Sequence, residues 1–303
     1  MSGIVEGKVV IVTGSGRGIG RGHALEFARQ GAKVVVNDLG ATLDGSGGSD
    51  GPAGEVVDEI RAMGGEAIAN GENVADWEGA QRMINAAVEH FGTLDILVNN
   101  AGILRDRMLV NMTEEEWDAV INVHLKGTFA PTRWAAAYWR EKVKAGETVN
   151  AAVVNTSSTS GIFGNPGQTN YGAAKAGIAS FSIIAAKELA RYGVRVNSIA
   201  PAALTRMTEN LGMGQRAAER KPEEFDRFSP DNVAPTVVWL ASDQAKDVTG
   251  QCFIVSGGTI ALAEGWKRGP VANQDDRWDA AELHKVIPDL MSQSEAANAK
   301  PAS

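Results

Sequence analysis

Short apolar runs alternate with amphipathic stretches along most of the 303-residue chain. The apolar runs are rich in valine and isoleucine and do not alternate strictly with polar positions, which is typical of strands buried on both faces of a sheet. We predict strands at 8–13, 33–37, 66–70, 94–99, 149–156, 194–199 and 252–255.

Amphipathic helical patterns separate these runs. They cover 20–30, 55–63, 76–91, 113–143, 171–191 and 232–242. Strands that alternate with helices of this length indicate a parallel sheet covered by helices on both faces. We therefore expect an α/β fold with a doubly wound, Rossmann-type sheet of about seven strands.

Two segments fall outside this pattern. Residues 40–54 contain six glycines and are predicted to form a long loop after the second strand. Beyond residue 265 the chain is polar and irregular, with a short predicted helix at 275–286. We expect one domain over 1–265 and a partly irregular C-terminal extension over 266–303.

Composition narrows the classes of function. The net charge of −8 argues against a nucleic-acid partner, and the single cysteine excludes an internal disulfide or a multi-cysteine zinc site. No apolar run is long enough for a membrane span, and the first residues lack a signal-peptide pattern. We expect a cytoplasmic protein without a metal site, in which the 35 glycines serve turns and close backbone approaches.

A glycine-rich loop follows the first strand and leads directly into a helix. It contains Gly14, Arg17, Gly18, Ile19 and Gly20. Glycines let backbone N–H groups approach a pyrophosphate, which then lies at the positive end of the helix dipole. This strand–turn–helix context predicts a dinucleotide site.

An acidic residue, Asp38, follows the second strand. A carboxylate there accepts hydrogen bonds from a ribose diol and repels a 2′-phosphate, which favours NAD over NADP as the cofactor. Arg17 is a counter-signal, because an arginine in such a loop can face a 2′-phosphate.

Three side chains suggest redox chemistry on an alcohol. Tyr171 and Lys175 are four residues apart on one helix face, and Ser158 ends the predicted fifth strand. With the glycine loop and Asn99-Asn100-Ala101-Gly102 after the fourth strand, these motifs resemble the short-chain dehydrogenase/reductase family, and the resemblance runs from about residue 8 to 258.

The resemblance implies a role for each of these residues. Tyr171 would exchange a proton with the substrate oxygen, Ser158 would hold that oxygen, and Lys175 would bind the nicotinamide ribose and lower the tyrosine pKa. The implied cofactor-binding residues also include Asn73, Val74, Asn99, Asn100, Ala101, Gly102, Pro201 and Thr205, although the spacing from Pro201 to Thr205 is one residue short.

His124 departs from the general family pattern, which has asparagine in an Asn-Leu-x-Gly context. Asn122 should face another side of the helix and not substitute for it. Three alternatives stay open: His124 supports a water link to Lys175, the proton relay is wired differently, or His124 is a plain packed histidine.

Four stretches identify a branch of the family: 36–40, 99–108, 123–129 and 161–171. Together they are similar to the dehydrogenase unit of the peroxisomal multifunctional enzymes of type 2, also called 17β-hydroxysteroid dehydrogenase type 4. That branch shares the histidine. The resemblance implies NAD-dependent oxidation of a (3R)-hydroxyacyl-CoA, with a fatty or sterol side-chain acyl group. Residues 204–228 would close the pocket, and Arg105, Arg107, Arg216, Arg220 and Lys221 are candidates for the CoA phosphates.

Two other functions remain open at this point. One is a hydroxysteroid or other secondary-alcohol dehydrogenase without CoA specificity. The other is a non-catalytic NAD-binding sensor or scaffold, although the intact Ser158, Tyr171 and Lys175 argue against it. The family resemblance also implies a homodimer or homotetramer that associates through the helices predicted at 113–143 and 171–191.

Overall fold

The computed structural model describes residues 3–40, 51–203 and 224–294. Its strands are β1 (Val9–Thr13), β2 (Lys33–Asn37), β3 (Ala67–Asn70), β4 (Ile96–Asn99), β5 (Ala151–Thr156), β6 (Val194–Ala202), β7 (Cys252–Ser256) and β8 (Thr259–Leu262). Its helices are α1 (Gly18–Arg29), α2 (Gly51–Ala62), α3 (Trp77–Phe91), α4 (Glu114–Ile121), α5 (Gly127–Lys144), α6 (Thr159–Phe163), α7 (Thr169–Leu189), α8 (Ala234–Ala241) and α9 (Leu283–Gln293). A π-helical turn, Asn122–Lys126, joins α4 to α5.

The eight strands form one sheet in the order β3-β2-β1-β4-β5-β6-β7-β8. All neighbouring pairs are parallel except β7 and β8. The predicted α/β class with a doubly wound sheet is confirmed. The strand order reverses between β1 and β4, which opens a crevice at the carboxyl ends of these two strands.

Alternate residues of each strand enter two separate apolar layers, which explains why the strands lack an apolar–polar alternation. Val10 and Val12 of β1 pack in the layer under α1, α2 and α8. Val9 and Ile11 pack in the opposite layer with α3, α5 and α7, where Trp139 is 1% exposed.

The eighth strand is absent from the sequence prediction. All four residues of β8 are exposed, and it returns antiparallel to β7 through Gly257, whose φ is +54°. The apolar run of β8 covers only residues 260–262, and as the edge strand of the sheet β8 buries none of them.

Other boundaries also differ from the predictions. The predicted loop 40–54 is wrong from residue 51, because α2 already begins at Gly51 and buries Pro52 and Ala53. The single helix predicted at 113–143 is two helices joined by the π-helical turn.

Residue contacts divide the chain into units 1–263 and 264–303, and the domain assignment of 1–265 and 266–303 stays a prediction. In the second unit the helix is α9 rather than 275–286, and none of its residues is buried.

None of the helices in the described ranges has the length and apolar character needed to cross a bilayer. Within those ranges, no group of three or more His, Cys, Asp or Glu side chains is arranged to hold a metal ion.

Candidate active site

The glycine loop lies between β1 and α1 at the crevice. Gly14 and Gly18 have φ values of +61° and +56°, which favour glycine. A Cβ on Gly20 would lie 2.2 Å from the carbonyl oxygen of Gly14, and one on Gly14 would lie 2.7 Å from Cα of Ala101. Arg17 precedes α1 without capping it through its side chain, and Ile19 is half-buried in the first turn. The first amides of α1 are therefore available to an anion.

The end of β4 is fixed to the same loop. The backbone N–H groups of Asn100 and Ala101 donate to Oγ1 of Thr13 over 2.9 and 3.1 Å. Nδ2 of Asn100 donates to the carbonyl oxygens of Thr13 and Gly14 over 3.0 and 3.1 Å. These bonds place Gly102 beside the crevice and make its floor rigid.

Asp38 faces the glycine loop from the end of β2. Its Oδ2 accepts from the Gly16 N–H over 2.9 Å, and its Oδ1 accepts from the Gly40 N–H over 2.7 Å. The carboxylate is therefore held at the rim of the crevice, beside the glycine loop.

Asn73 and Val74 follow the adjacent strand, β3. Oδ1 of Asn73 accepts from the Ala75 N–H over 2.9 Å. Val74 is 5% exposed and packs on Gly127, where a Cβ would approach its methyl carbon to 2.8 Å. Asn73 and Val74 therefore lie beyond the carboxyl end of β3, at the same edge of the sheet as Asp38 after β2.

Ser158, Tyr171 and Lys175 come together beside the crevice. Ser158 directly precedes α6, and its Oγ accepts from the Ser160 N–H over 3.1 Å. Tyr171 lies in the first turn of α7, and Nζ of Lys175, one turn later, is 5.5 Å from its ring centre. Nζ donates to the carbonyl oxygen of Thr156 over 2.6 Å.

Burial governs the electrostatics of this group. It lowers the pKa of Lys175 to about 7 because the buried ammonium loses solvation. It also raises the pKa of Tyr171, a hydrogen bond with Ser158 lowers it, and the charge of Asp106 raises it further. From the sequence, Lys175 is expected to lower the pKa of Tyr171. In the structure the protein groups on their own raise it instead, because the loss of solvation on burial is the largest effect.

His124 lies inside the π-helical turn and is 2% exposed. Its ring meets the Tyr171 ring edge-on at 5.1 Å, and its Nε2 lies 2.7 Å from the carbonyl oxygen of Ile103. A Cβ on Gly102 would lie 2.4 Å from Cε1 of this ring. Burial, with a smaller effect from Lys175, lowers the His124 pKa to about 3. The ring is therefore neutral. Nε2 also lies 3.2 Å from the backbone nitrogen of Ile103, and the shorter contact with the carbonyl oxygen favours the tautomer with the proton on Nε2, in which Nδ1 is an acceptor.

The remaining predicted residues have different outcomes. Pro201 lies within β6, beyond the predicted strand end at residue 199, because β6 continues beside β7 to Ala202. Thr205 and most of the predicted closing segment, including Arg216, Arg220 and Lys221, lie outside the described residues. Asn122 is exposed, in line with its exclusion as a substitute for His124.

Sequence reasoning missed a buried polar chain behind the site. Nδ2 of Asn99 donates to Oδ1 of Asn155 over 2.8 Å and to Oγ1 of Thr132 over 2.9 Å. Nδ2 of Asn155 then donates to Oγ of Ser182 over 2.9 Å. These bonds connect β4 and β5 with α5 and α7. The only sequence signal is an asparagine inside the apolar run of β5.

Comparisons with known proteins agree with this fold. The family model described as enoyl-(acyl carrier protein) reductase matches residues 14–259. The chain is 45% identical to the hydroxyacyl-CoA dehydrogenase ChsB1 of Mycobacterium tuberculosis, over 95% of this chain and 90% of that protein. It is 45% identical to the peroxisomal multifunctional enzyme type 2 of Drosophila melanogaster, over 86% of this chain but 40% of that longer protein.

A solved structure agrees as well. The crystal structure of a short chain dehydrogenase from Mycobacterium avium has 57% sequence identity and a TM-score of 0.87, with 97% of each chain covered. The resemblance drawn from the sequence motifs is confirmed, including its branch. The chain therefore belongs to the short-chain dehydrogenase/reductase family, whose members are oxidoreductases that generally bind a nicotinamide cofactor.

Proposed function

We propose that this enzyme oxidises the 3-hydroxyl of a (3R)-hydroxyacyl-CoA to the 3-oxo form with NAD. The observation that carries the proposal is the convergence of Ser158, Tyr171 and buried Lys175 beside the glycine loop. The hydroxyacyl-CoA dehydrogenase named among the relatives, aligned over nearly the whole chain, supports the substrate class.

Tyr171 is the proposed general base. Its phenolate would take the proton of the substrate hydroxyl. NAD, when bound, would supply the acceptor for the hydride from the carbon that bears that hydroxyl. Ser158 would donate its hydroxyl proton to the substrate oxygen, while its Oγ accepts from the Ser160 N–H. Burial raises the pKa of Tyr171, so proton removal depends on nearby positive charge.

Lys175 is the proposed source of part of that charge. Its pKa of about 7 lets the amine gain or lose a proton near neutral pH. Its bond to Thr156 holds Nζ on the Tyr171 side of the sheet edge, 5.5 Å from the ring centre. The amine would also hold the nicotinamide ribose.

His124 is proposed to support Lys175 in place of the usual asparagine. Its Nδ1 is buried and has no hydrogen-bond partner among the described residues, and it is an acceptor in the tautomer that carries the proton on Nε2. A bridging water between Nδ1 and Nζ of Lys175 would satisfy both groups. The packing against Gly102 and Tyr171 holds the ring in this orientation.

Asp38 supports NAD rather than NADP. Its carboxylate is fixed beside Gly16 by a 2.9 Å bond, at the rim where an adenosine ribose would lie. A 2′-phosphate there would meet a negative charge. The residues proposed to hold NAD are Gly14, Arg17, Gly18, Ile19, Gly20, Asp38, Asn73, Val74, Asn99, Asn100, Ala101, Gly102, Tyr171, Lys175, Pro201 and Thr205.

The arginines of the loop after β4 are weaker candidates for CoA phosphates. Arg107 forms an ion pair with Glu116 at 2.9 Å. The Glu116 carboxylate would have to leave the Arg107 guanidinium before that group could bind a phosphate through two parallel hydrogen bonds.

The test is NADH formation with purified protein on a panel of substrates: (3R)- and (3S)-hydroxyacyl-CoAs, sterol side-chain CoA thioesters, acyl-carrier-protein thioesters and free steroids. We expect turnover of (3R)-CoA thioesters with NAD preferred. Turnover of free steroids or carrier-protein thioesters without CoA thioesters would refute the CoA assignment. NAD binding without turnover of any substrate would favour a sensor.

A matched variant tests the proton transfer. Tyr171→Phe keeps the ring that packs on His124 and removes the hydroxyl. We expect a loss of kcat of at least about a thousandfold with NAD affinity retained. Retained activity would overturn the role given to Tyr171.

A further inference from the structure

A chain of side-chain hydrogen bonds runs from the loop after β4 to Ser158. Nε2 of Gln168 donates to Oδ2 of Asp106 over 2.7 Å, and Oε1 of Gln168 accepts from Oγ of Ser160 over 2.7 Å. The N–H of Ser160 then donates to Oγ of Ser158 over 3.1 Å. Gln168 is 5% exposed, so its amide depends on these partners.

The orientation of the Gln168 amide is determined by its surroundings. Its oxygen faces two donors, Oγ of Ser160 and Nδ2 of Asn165, the latter at 2.9 Å. Its nitrogen faces the Asp106 carboxylate, which can only accept. A flipped amide would turn its NH₂ group towards the Asn165 donor and its oxygen towards the carboxylate, so one orientation is strongly preferred.

Further hydrogen bonds join the same two segments, and one of them also reaches α4. The Arg107 N–H donates to the Gly167 carbonyl oxygen over 2.8 Å. Nδ2 of Asn170 donates to the carbonyl oxygens of Arg105 and Glu116 over 3.0 and 3.1 Å. The loop after β4 is thus fastened to the start of α7, two residues before Tyr171.

We propose that Gln168 is a positioning residue for the reaction, which sets the orientation of Ser158 through Ser160 and holds the loop after β4 against the catalytic helix through Asp106. The proposal rests on the proposed function of Ser158 and Tyr171. The Ser160 N–H occupies one lone pair of the Ser158 oxygen and so constrains the orientation of the hydroxyl that the proposed function places against the substrate oxygen. Displacing Ser160 would remove that constraint.

A charge exchange between the two linked side chains tests the proposal. Gln168→Glu places two carboxylates in contact. Combining it with Asp106→Asn restores a hydrogen bond between an amide and a carboxylate, in which residue 106 now donates and residue 168 accepts. We expect Gln168→Glu to lower kcat by about tenfold or more, with KM for NAD changed less than about twofold. The double variant should return kcat to within about threefold of the wild type.

Two further variants complete the set. Asn165→Ala removes a donor from the same Gln168 oxygen without breaking the chain from Asp106 to Ser158, so it should keep wild-type kcat. If Gln168→Glu does not fold, Gln168→Met removes the hydrogen bonds without adding charge, and the same loss of kcat is expected. Unchanged kcat in both Gln168 variants, or a double variant without rescue, would overturn the proposal.

Amide hydrogen exchange separates this proposal from the proposed function. Exchange of the Arg107 amide should accelerate in Gln168→Glu and return towards the wild-type rate in the double variant, because the Arg107–Gly167 bond depends on the link. If the wild type turned over no hydroxyacyl thioester, the proposed function would fail, and exchange alone would decide whether the link exists. Wild-type exchange in Gln168→Glu would overturn the link itself.

Discussion

A buried histidine of α1, His23, should make the free energy of unfolding fall at acidic pH. It lies on α1, is 0% exposed, and neither ring nitrogen has a hydrogen-bond partner among the described residues. Burial lowers its pKa from 6.5 to about 3, because the charged ring would lose its solvation. The unfolded chain therefore binds a proton at a pH where the folded chain does not.

The sign and magnitude follow from linkage. The stability contributed by neutral His23 is complete above pH 6.5 and is lost progressively as pH falls from 6.5 towards 3. The slope approaches about 1.4 kcal/mol per pH unit, which gives a loss of about 2 kcal/mol at pH 5. His124, with the same lowered pKa, adds a similar loss in the wild type.

The assay is urea unfolding of the wild type and His23→Leu between pH 8 and 5, at one protein concentration. Leucine removes the unpartnered nitrogens, so the variant should match or exceed wild-type stability at pH 8 by up to about 3 kcal/mol. Its advantage should then widen by about 2 kcal/mol at pH 5. Phe27→Leu, a buried substitution on the same helix, is the control, because neither of its residues titrates.

The result that would refute this reasoning is a free-energy difference between wild type and His23→Leu that stays constant from pH 8 to 5. It would mean that His23 binds its proton equally in the folded and unfolded chains. A pH-dependent difference for Phe27→Leu would instead point to a general change in the acid response of the fold.

Three further predictions concern the cofactor, the site and the fold. Asp38→Asn should reduce the preference for NAD over NADP by about tenfold, measured as the ratio of kcat/KM values, and an unchanged ratio would contradict its role at the ribose. Gly102→Ala should lower kcat, because its Cβ would lie 2.4 Å from Cε1 of His124; wild-type kcat would show that this ring is free to move. Arg195→Met should lower the free energy of unfolding by about 3 kcal/mol in urea. The reason is that the Arg195 guanidinium donates to four carbonyl oxygens at the end of α8, from Leu240 to Ala245. A loss below about 0.5 kcal/mol would contradict this account.

The sequence determined the parts of this protein that local physics controls. Valine- and isoleucine-rich runs identify seven strands because both sheet faces are buried. The glycine loop was predictable because its backbone needs positive φ values and close approaches that a Cβ would block. Tyr171 and Lys175 were predictable as neighbours because four residues make about one helical turn.

Only the tertiary structure decided which distant groups meet. Gln168 and Asp106 are 62 residues apart, and Asn99 and Asn155 are 56 apart, so no local pattern pairs them. The direction of the Tyr171 pKa shift also depended on burial, which opposes the charge expected from its neighbour. The π-helical turn at His124 stayed hidden because packing between elements, not local propensity, stabilises it. Exposed β8 stayed hidden because it is a short edge strand that is held by backbone pairing with β7.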